Sequence, residues 1–313
     1  MFEATLRETS SFKKVFEVIN GIANNVNILF EEDGLRMQAM DNTNGALAIL
    51  YLKNKGFVRY RCDRPGTIGM NVGSFCKLLK IGKDDDKLTL RLREDGDSDV
   101  LQVEYESDKT RRFSSYSLNL LAIEVDDLDI PEVDYDARVT IPSTELANII
   151  KDLNAIGENA EISVRQDSIK FSAQGNDATG QVWLKPDSQV IPAGQDPDTT
   201  MVGGDTDGGK PEGTALAKKR QFHDRTNTSS NSHSPTNKKH KQDLDTSRTV
   251  SIQLSSPVSL GFKLKYLTYV SRCAFLVDVV ELSFGEDIPL MVRYDFSSRI
   301  GHILFYIAPL IGD

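Results

Sequence analysis

The sequence predicts an α+β protein built from two copies of one domain, and three observations carry that expectation. The first is a repeat. At an offset of 134 residues, Phe12, Val15, Phe16, Ile19, Ile22, Ile28, Phe30, Leu35, Met37 and Ala39 meet Leu146, Ile149, Ile150, Leu153, Ile156, Ile162, Val164, Ile169, Phe171 and Ala173, and every pair is apolar. Each copy passes from helical spacing to strict alternation, the pattern of an amphipathic helix followed by two half-buried strands. The second is a continuation of the repeat at an offset of 192, where Phe75, Leu78, Leu88, Leu90 and Leu92 meet Leu267, Val270, Val280, Leu282 and Phe284. The difference between the offsets measures an insertion of about 58 residues in the second copy. The third is strand density. Alternating or apolar runs cover Ala46 to Leu52, Lys87 to Arg93, Val100 to Glu106, Arg112 to Leu118, Val139 to Ile141, Val250 to Leu254, Val279 to Phe284, Leu290 to Asp295 and His302 to Ile307. Turn residues separate many of them, so each copy reads as antiparallel sheet with two helices on one face.

Four helices follow from the apolar spacing. Ser10 or Ser11 is positioned to cap the first, which buries Phe12, Val15, Phe16, Ile19 and Ile22 and exposes Lys13, Lys14, Glu17 and Asn20. The second, near Val72 to Leu79, buries Phe75, Leu78 and Leu79 and exposes Lys77 and Lys80, neighbours on one face. The third follows Pro142-Ser143-Thr144 and exposes Asn148 and Lys151; the fourth, around Lys265 to Arg272, buries Leu267 and Val270. Exposed lysines on one helix are ordinarily just solvated. On four helices at corresponding positions of a repeat they form a common basic face, suited to duplex phosphates because no aromatic stacking platform accompanies them.

The formal net charge of -9 argues against a nucleic-acid binder only on average. Acidic runs sit in turns, at Glu31-Glu32-Asp33-Gly34, Lys83-Asp84-Asp85-Asp86 and Glu94-Asp95-Gly96-Asp97, and such segregation leaves a local positive field intact. Cys62, Cys76 and Cys273 are odd in number and lack CxxC spacing, so neither a disulfide framework nor a zinc site is expected, and a reducing intracellular compartment fits. No run approaches the length of about 18 apolar residues that a membrane span needs, and Met1-Phe2-Glu3-Ala4 does not open a signal peptide; a soluble protein is expected.

The domain boundaries expected are residues 1–119, a connecting loop at 120–136, and residues 137–313 interrupted at about 190–248. The interruption is filled with Gly, Asp, Thr, Ser, Asn, Pro and Lys and reads as a disordered loop. Its basic clusters Lys218-Lys219-Arg220 and Lys238-Lys239-His240-Lys241 read as a bipartite nuclear localisation signal, a nucleic-acid tether or a solvated spacer.

Specific strings narrow the reading. Met1-Phe2-Glu3-Ala4, Met40-Asp41, Tyr60-Arg61-Cys62-Asp63-Arg64, Leu128-Asp129-Ile130-Pro131-Glu132, Lys170-Phe171-Ser172-Ala173 and Ala308-Pro309, set in a two-fold strand-rich repeat, resemble the proliferating cell nuclear antigen family of eukaryotic DNA sliding clamps. The resemblance covers residues 1–190 and 249–313. It implies the DNA clamp fold, with two similar domains of antiparallel sheets and two helices each lining a central channel, and a homotrimeric ring around duplex DNA.

Carried over position by position, the resemblance implies channel residues Lys13, Lys14, Lys77, Lys80, Arg112, Lys151, Lys265 and Arg272, while Asn20, Asn148 and Ala155 stand where relatives often have a basic or histidine side chain. It implies subunit contacts between an edge at Thr110 to Leu118 and one at Thr179 to Lys185, through Tyr116, Leu118, Gly180, Val182 and Trp183. From the residues alone, Trp183 is equally an interface or a core aromatic. A pocket for short aromatic-ended peptides is implied at Met40, Asn44, Leu47, Leu128, Ile130, Pro289, Tyr306, Ala308 and Pro309. Apolar residues are by default core, but Leu128 and Ile130 lie on an acidic connector and read as an anchor groove. Asn44 replaces a histidine typical of the pocket rim, and Gln166 stands where relatives carry a loop lysine used for ubiquitin-type modification.

No catalytic constellation is present in the sequence: His223, His233 and His240 fall in the insertion, His302 stands alone, and no Gly-rich phosphate loop with Lys-Ser/Thr occurs. No enzyme, cofactor or metal is expected. The leading expectation is a nuclear sliding clamp that acts as polymerase processivity factor and docking platform for replication and repair proteins, loaded by a separate ATP-dependent clamp loader. The alternatives are a subunit of a checkpoint-type heterotrimeric clamp and a nuclear scaffold that does not encircle DNA.

Overall fold

Apolar residues at every second position give each strand one face to bury and one to leave partly exposed. The computed structural model describes residues 1–92, 99–124, 128–186, 249–296 and 300–310. The first half runs β1 (Phe2–Leu6), α1 (Ser10–Ile22), β2 (Asn25–Phe30), β3 (Gly34–Met40), β4 (Ala46–Lys53), β5 (Arg59–Cys62), β6 (Gly66–Asn71), α2 (Val72–Leu79), β7 (Lys87–Leu92), β8 (Val100–Ser107) and β9 (Arg112–Asn119). The second half repeats this order as β10 (Ala137–Pro142), α3 (Ser143–Asn154), β11 (Asn159–Arg165), β12 (Ser168–Gln174), β13 (Thr179–Leu184), β14 (Ser251–Leu254), β15 (Val258–Lys263), α4 (Leu264–Ser271), β16 (Val279–Phe284), β17 (Leu290–Asp295) and β18 (Gly301–Ile307). The insertion at 190–248, the acidic turn Glu94-Asp95-Gly96-Asp97 and residues 311–313 lie outside the described residues.

Three antiparallel sheets result. One is β5-β1-β7-β8-β9, one is β13-β12-β11-β15, and between them a nine-stranded sheet runs β14-β10-β16-β17-β18-β4-β3-β2-β6. The halves are therefore not separate bodies: β18 of the second pairs with β4 of the first, from Gly301 opposite Leu52 to Ile307 opposite Ala46. Inward-facing Ile303, Phe305 and Ile307 are fully buried there beside Ala46, Ala48 and Leu50, each large side chain contributing about 1.5–3 kcal/mol by burial.

Strands β1, β5, β6 and β15 are additions to those expected from the sequence. Strand β1, flanked by β5 and β7, hides Glu3, which is buried yet lies 3.2 Å from Arg59 and 3.4 Å from Arg91. A carboxylate without such partners would not be tolerated there. The start of α1 also differs from expectation. Neither serine caps it; Thr9 precedes the helix, makes no side-chain cap, and donates its hydroxyl to the Asp86 carbonyl at 2.8 Å. The amides of Thr9 and Ser10 donate to the Asp84 carbonyl, so the turn between α2 and β7 takes over the capping role. In α2, Leu78 is only half-buried and Cys76 joins Phe75 and Leu79 in the core.

Where β18 meets β4, His302 packs against Tyr51 with ring centroids 5.6 Å apart and ring planes tilted by 50°. Burial, with the Arg293 charge adding to it and Asp295 opposing, pushes the His302 imidazole below its ordinary value. The unfolded chain then binds the proton more tightly, so this group removes stability as pH falls through about 6.5 and removes no more below its lowered folded value. Urea titrations between about pH 8 and pH 5 are expected to show that loss in the wild type and a smaller loss in His302→Gln.

Candidate functional site

The helices form one layer. α1 packs on α2, α3 packs on α4, and α1 meets α4 across the junction of the halves. The α1–α4 approach needs Gly21, because a Cβ there would stand 2.6 Å from the Tyr269 ring. Each helix buries its apolar stripe, α1 through Phe12, Val15, Phe16, Val18, Ile19 and Ile22 and α3 through Leu146, Ile149, Ile150 and Leu153. The remaining face is basic. Lys14, Lys77, Lys80, Lys151, Lys265 and Arg272 are exposed, and the exposed acids on these helices are Glu17 and Asp152.

The cations are not equally available. The Lys13 ammonium lies 3.2 Å from Asp84 and its side chain is largely covered, so it is partly neutralised. Lys80 pairs with Glu17 at 3.4 Å, both exposed, a contact worth little in water. Lys14, Lys265 and Arg272 lie over the rings of Phe275, Tyr266 and Tyr269 at 4.7, 5.3 and 5.4 Å, which orients them without cancelling their charge. Arg112 is exposed but stands on strand β9, donating to the Ser114 hydroxyl at 3.0 Å, rather than on a helix.

On the sheet side opposite the helices, register assembles an apolar patch. Met40 lies opposite Leu47, Leu47 opposite Tyr306, and Tyr306 opposite Met291, a row across β3, β4, β18 and β17. Leu47 is buried; Met40 and Tyr306 are half-buried. Ile49 and Leu304, paired one step along the same face, extend the patch and went unnoticed in the sequence, although each is two residues from a patch member. After β18, exposed Ala308 donates its amide to the Gly45 carbonyl at 3.1 Å, and half-buried Pro309 follows. Pro289 is exposed immediately before Leu290, which pairs with Ile307.

The connector is tied down beside this patch. Gln38, on the same face of β3 as Met40, accepts the Leu128 amide and donates to the Leu128 carbonyl, each at 3.1 Å. Asn27 donates to the Glu124 carbonyl at 3.0 Å, and Leu121 bridges to Gly69. At the far end, Asp136 accepts from the Glu286 amide at 3.0 Å and the Ser256 hydroxyl at 2.8 Å, and those bonds hold its carboxyl below the usual range. Leu128 keeps its side chain 39 % exposed, and Ile130 is half-buried in the connector. Tyr135 was also missed; burial raises its hydroxyl, and the neighbouring Tyr306 adds to the effect.

Asn44 adopts the left-handed conformation, φ 55°, in the exposed turn between β3 and β4. That turn is fixed from the other half of the chain, since Tyr266 on α4 donates to Asp41 at 2.7 Å. Burial alone would raise the Asp41 carboxyl; the Thr43 and Tyr266 hydroxyls outweigh it and hold the group ionised below its ordinary value.

Among the described residues each sheet ends in two strands that pair on one side only, and two of these edges bear on assembly. β9 ends the five-stranded sheet and β13 the four-stranded one. On their helix-side faces stand half-buried Tyr116, T-shaped against Tyr105 at 6.1 Å, buried Leu118, half-buried Val182, and Gly180, where a Cβ would lie 2.2 Å from Ile156 Cδ1. Trp183 is 54 % exposed, so it is not a core residue of its own domain.

Two like halves joined by a shared sheet, with four basic helices in one layer, define the chain as a DNA clamp. Residues 1–128 match the family model described as proliferating cell nuclear antigen, N-terminal domain, and residues 129–201 and 219–310 match its C-terminal domain. The proliferating cell nuclear antigen of Chaetomium thermophilum is 33 % identical over 313 residues, covering 100 % of this chain and 99 % of its own. That of Dictyostelium discoideum is 30 % identical over 311 residues, covering 99 % and 100 %. The chain belongs to the proliferating cell nuclear antigen family.

The connector's attachment has a direct test. Gln38→Ala removes both bonds to Leu128 and is expected to accelerate amide exchange at residues 128–130 while leaving β3 protected. Unchanged exchange by mass spectrometry would show that Gln38 does not hold the connector.

Proposed function

We propose that three copies of this chain close head to tail into a ring, β9 of each pairing with β13 of the next, and that the ring slides on duplex DNA as a polymerase processivity factor. The observation that supports it best is that β9 of the first half and β13 of the second each end a sheet with no further strand paired among the described residues. An open edge is an invitation to unspecific pairing, and a closed ring covers the β9 and β13 edges of every subunit at once. The sheets thus joined would again have nine strands, as at the internal β4–β18 junction.

The helix layer then faces the hole. Lys14, Lys77, Lys80, Lys151, Lys265 and Arg272 supply a field for phosphates without reading base edges, which suits a body that must move along any sequence. Lys13 contributes less because Asp84 already engages it. The chain acts as a tether, not a catalyst, and opening of the ring falls to a separate ATP-dependent loader. As a clamp for chromosomal replication it would act in the nucleus.

The outer patch around Met40, Leu47, Tyr306, Leu128 and Ile130 is proposed to take the apolar end of short partner peptides, with Asn44, Pro289, Ala308 and Pro309 at its margin. Its apolar rows lie beside a connector already fixed by Gln38 and Asp136, so binding orders little further chain. A checkpoint-type heterotrimer subunit or a scaffold without DNA has less support, because complementary edges on one chain favour self-assembly.

Light scattering at micromolar concentration is expected to give a trimer, and a monomer would refute the ring. Changing Lys77, Lys80 and Lys151 together to Glu is expected to leave that trimer intact and to cut polymerase stimulation on primed circular DNA at least tenfold at low salt, the gap from the wild type narrowing as salt rises. Leu128→Ser with Ile130→Ser is expected to weaken a polymerase-derived, aromatic-ended peptide about tenfold or more in calorimetry. Wild-type affinity in that double variant would remove both residues from the pocket.

A further inference from the structure

Repeat equivalence carries the internal junction onto the two free edges. In β16–β17–β18, Leu282 lies opposite Val292 and Val292 opposite Phe305; in β7–β8–β9, Leu90 lies opposite Val103 and Val103 opposite Tyr116. Likewise Ala39 lies opposite Ala48 between β3 and β4, and Ala173 opposite Gly180 between β12 and β13. Tyr116 therefore stands for Phe305 and Gly180 for Ala48. Since Phe305 lies opposite Ala48 in the β18–β4 pairing, the same register sets Tyr116 opposite Gly180 and, three residues on, Phe113 opposite Trp183.

The outer face of the internal junction carries a ladder of four side chains from four adjacent strands. Arg36 lies opposite Tyr51, Tyr51 opposite His302, and His302 opposite Asp295. The Arg36 guanidinium is 5.3 Å from the Tyr51 ring centre, and the Tyr51 and His302 rings are 5.6 Å apart. The order is cation, aromatic, aromatic, anion.

The free edges hold this ladder cut in two. Lys170 lies opposite Trp183 with its ammonium 5.8 Å from the ring centre, and Glu106 lies opposite Phe113. Both aromatic rings are without an aromatic neighbour on the open side, Trp183 54 % and Phe113 64 % exposed. Phe113 is the most exposed large apolar side chain among the described residues.

We propose that Phe113 of one copy stacks on Trp183 of the next, completing a Lys170–Trp183–Phe113–Glu106 ladder at every subunit contact; this rests on the ring reading above. The register is constrained from both faces. A slip of one residue would turn the two aromatics to opposite faces, and a slip of two would move Tyr116 off Gly180, the position equivalent to Ala48 opposite Phe305. Phe113 thereby becomes a specificity anchor for self-assembly, and the occupant of this surface is a second copy of this chain.

Trp183 is the only tryptophan, so its emission reports this contact alone. Diluting the wild type through dissociation is expected to red-shift that emission as the ring loses Phe113. Phe113→Ser is expected to raise the midpoint concentration for dissociation about tenfold and to red-shift Trp183 in the assembled trimer, with Phe113→Tyr restoring both. Ser115→Cys with Gln181→Cys in one chain is expected to give disulfide-linked trimers on oxidation, with each single variant as control. A monomer at every concentration would defeat the ring itself. A trimer in which Phe113→Ser changes neither midpoint nor emission would overturn the stack alone, and linkage through Ser117→Cys with Gln181→Cys in place of the Ser115 pair would overturn the register.

Discussion

The pairing of β18 with β4 is the constraint on which the rest of the molecule depends. Seven residues of each strand face one another from Gly301–Leu52 to Ile307–Ala46, and they merge strands of both halves into one sheet. Fused in this way, the halves place α1 against α4 and their basic faces side by side. The same pairing brings Tyr306 beside Leu47 and so creates the outer apolar patch from strands far apart in the chain. One backbone ladder thus organises both surfaces, helices on one side and patch on the other.

Electrostatics divides along the same lines. The chain is acidic overall, yet acids of its described turns are engaged by its own cations: Glu31 by Arg36, Asp84 by Lys13, and Asp85 by Lys109. Engaging acids at turns with Lys13 but not with the other helix cations lets a chain of net negative charge present a positive layer. A uniform charge distribution of the same total could not hold phosphates, because the local field and not the sum governs the contact.

The connector shows how an acidic, Pro-containing segment becomes part of a site without regular structure. Its main chain bonds to side chains of the sheet, Gln38 and Asn27, and its end is anchored through Asp136. Bonds of this kind satisfy backbone groups that no strand partner reaches. The apolar side chains Leu128 and Ile130 then stay at the surface, where burying them in the core would have required the connector to fold as a strand.

The sequence by itself determined the duplication, the four helices and most strands, because burial on one face imposes a period that shows in the order of residues. It also determined the basic character of the helices, through Lys77, Lys80 and Lys151. Strands such as β1 stayed hidden: Glu3 breaks the apolar reading, and only the folded sheet supplies Arg59 and Arg91 to neutralise it. Lys13 looked like the other helix lysines until Asp84, remote in sequence, was found beside it. Trp183 is the plainest case. Whether an aromatic residue lies in a core or on an edge depends on which strands flank it, and strand order is a property of long-range pairing that local periodicity does not encode.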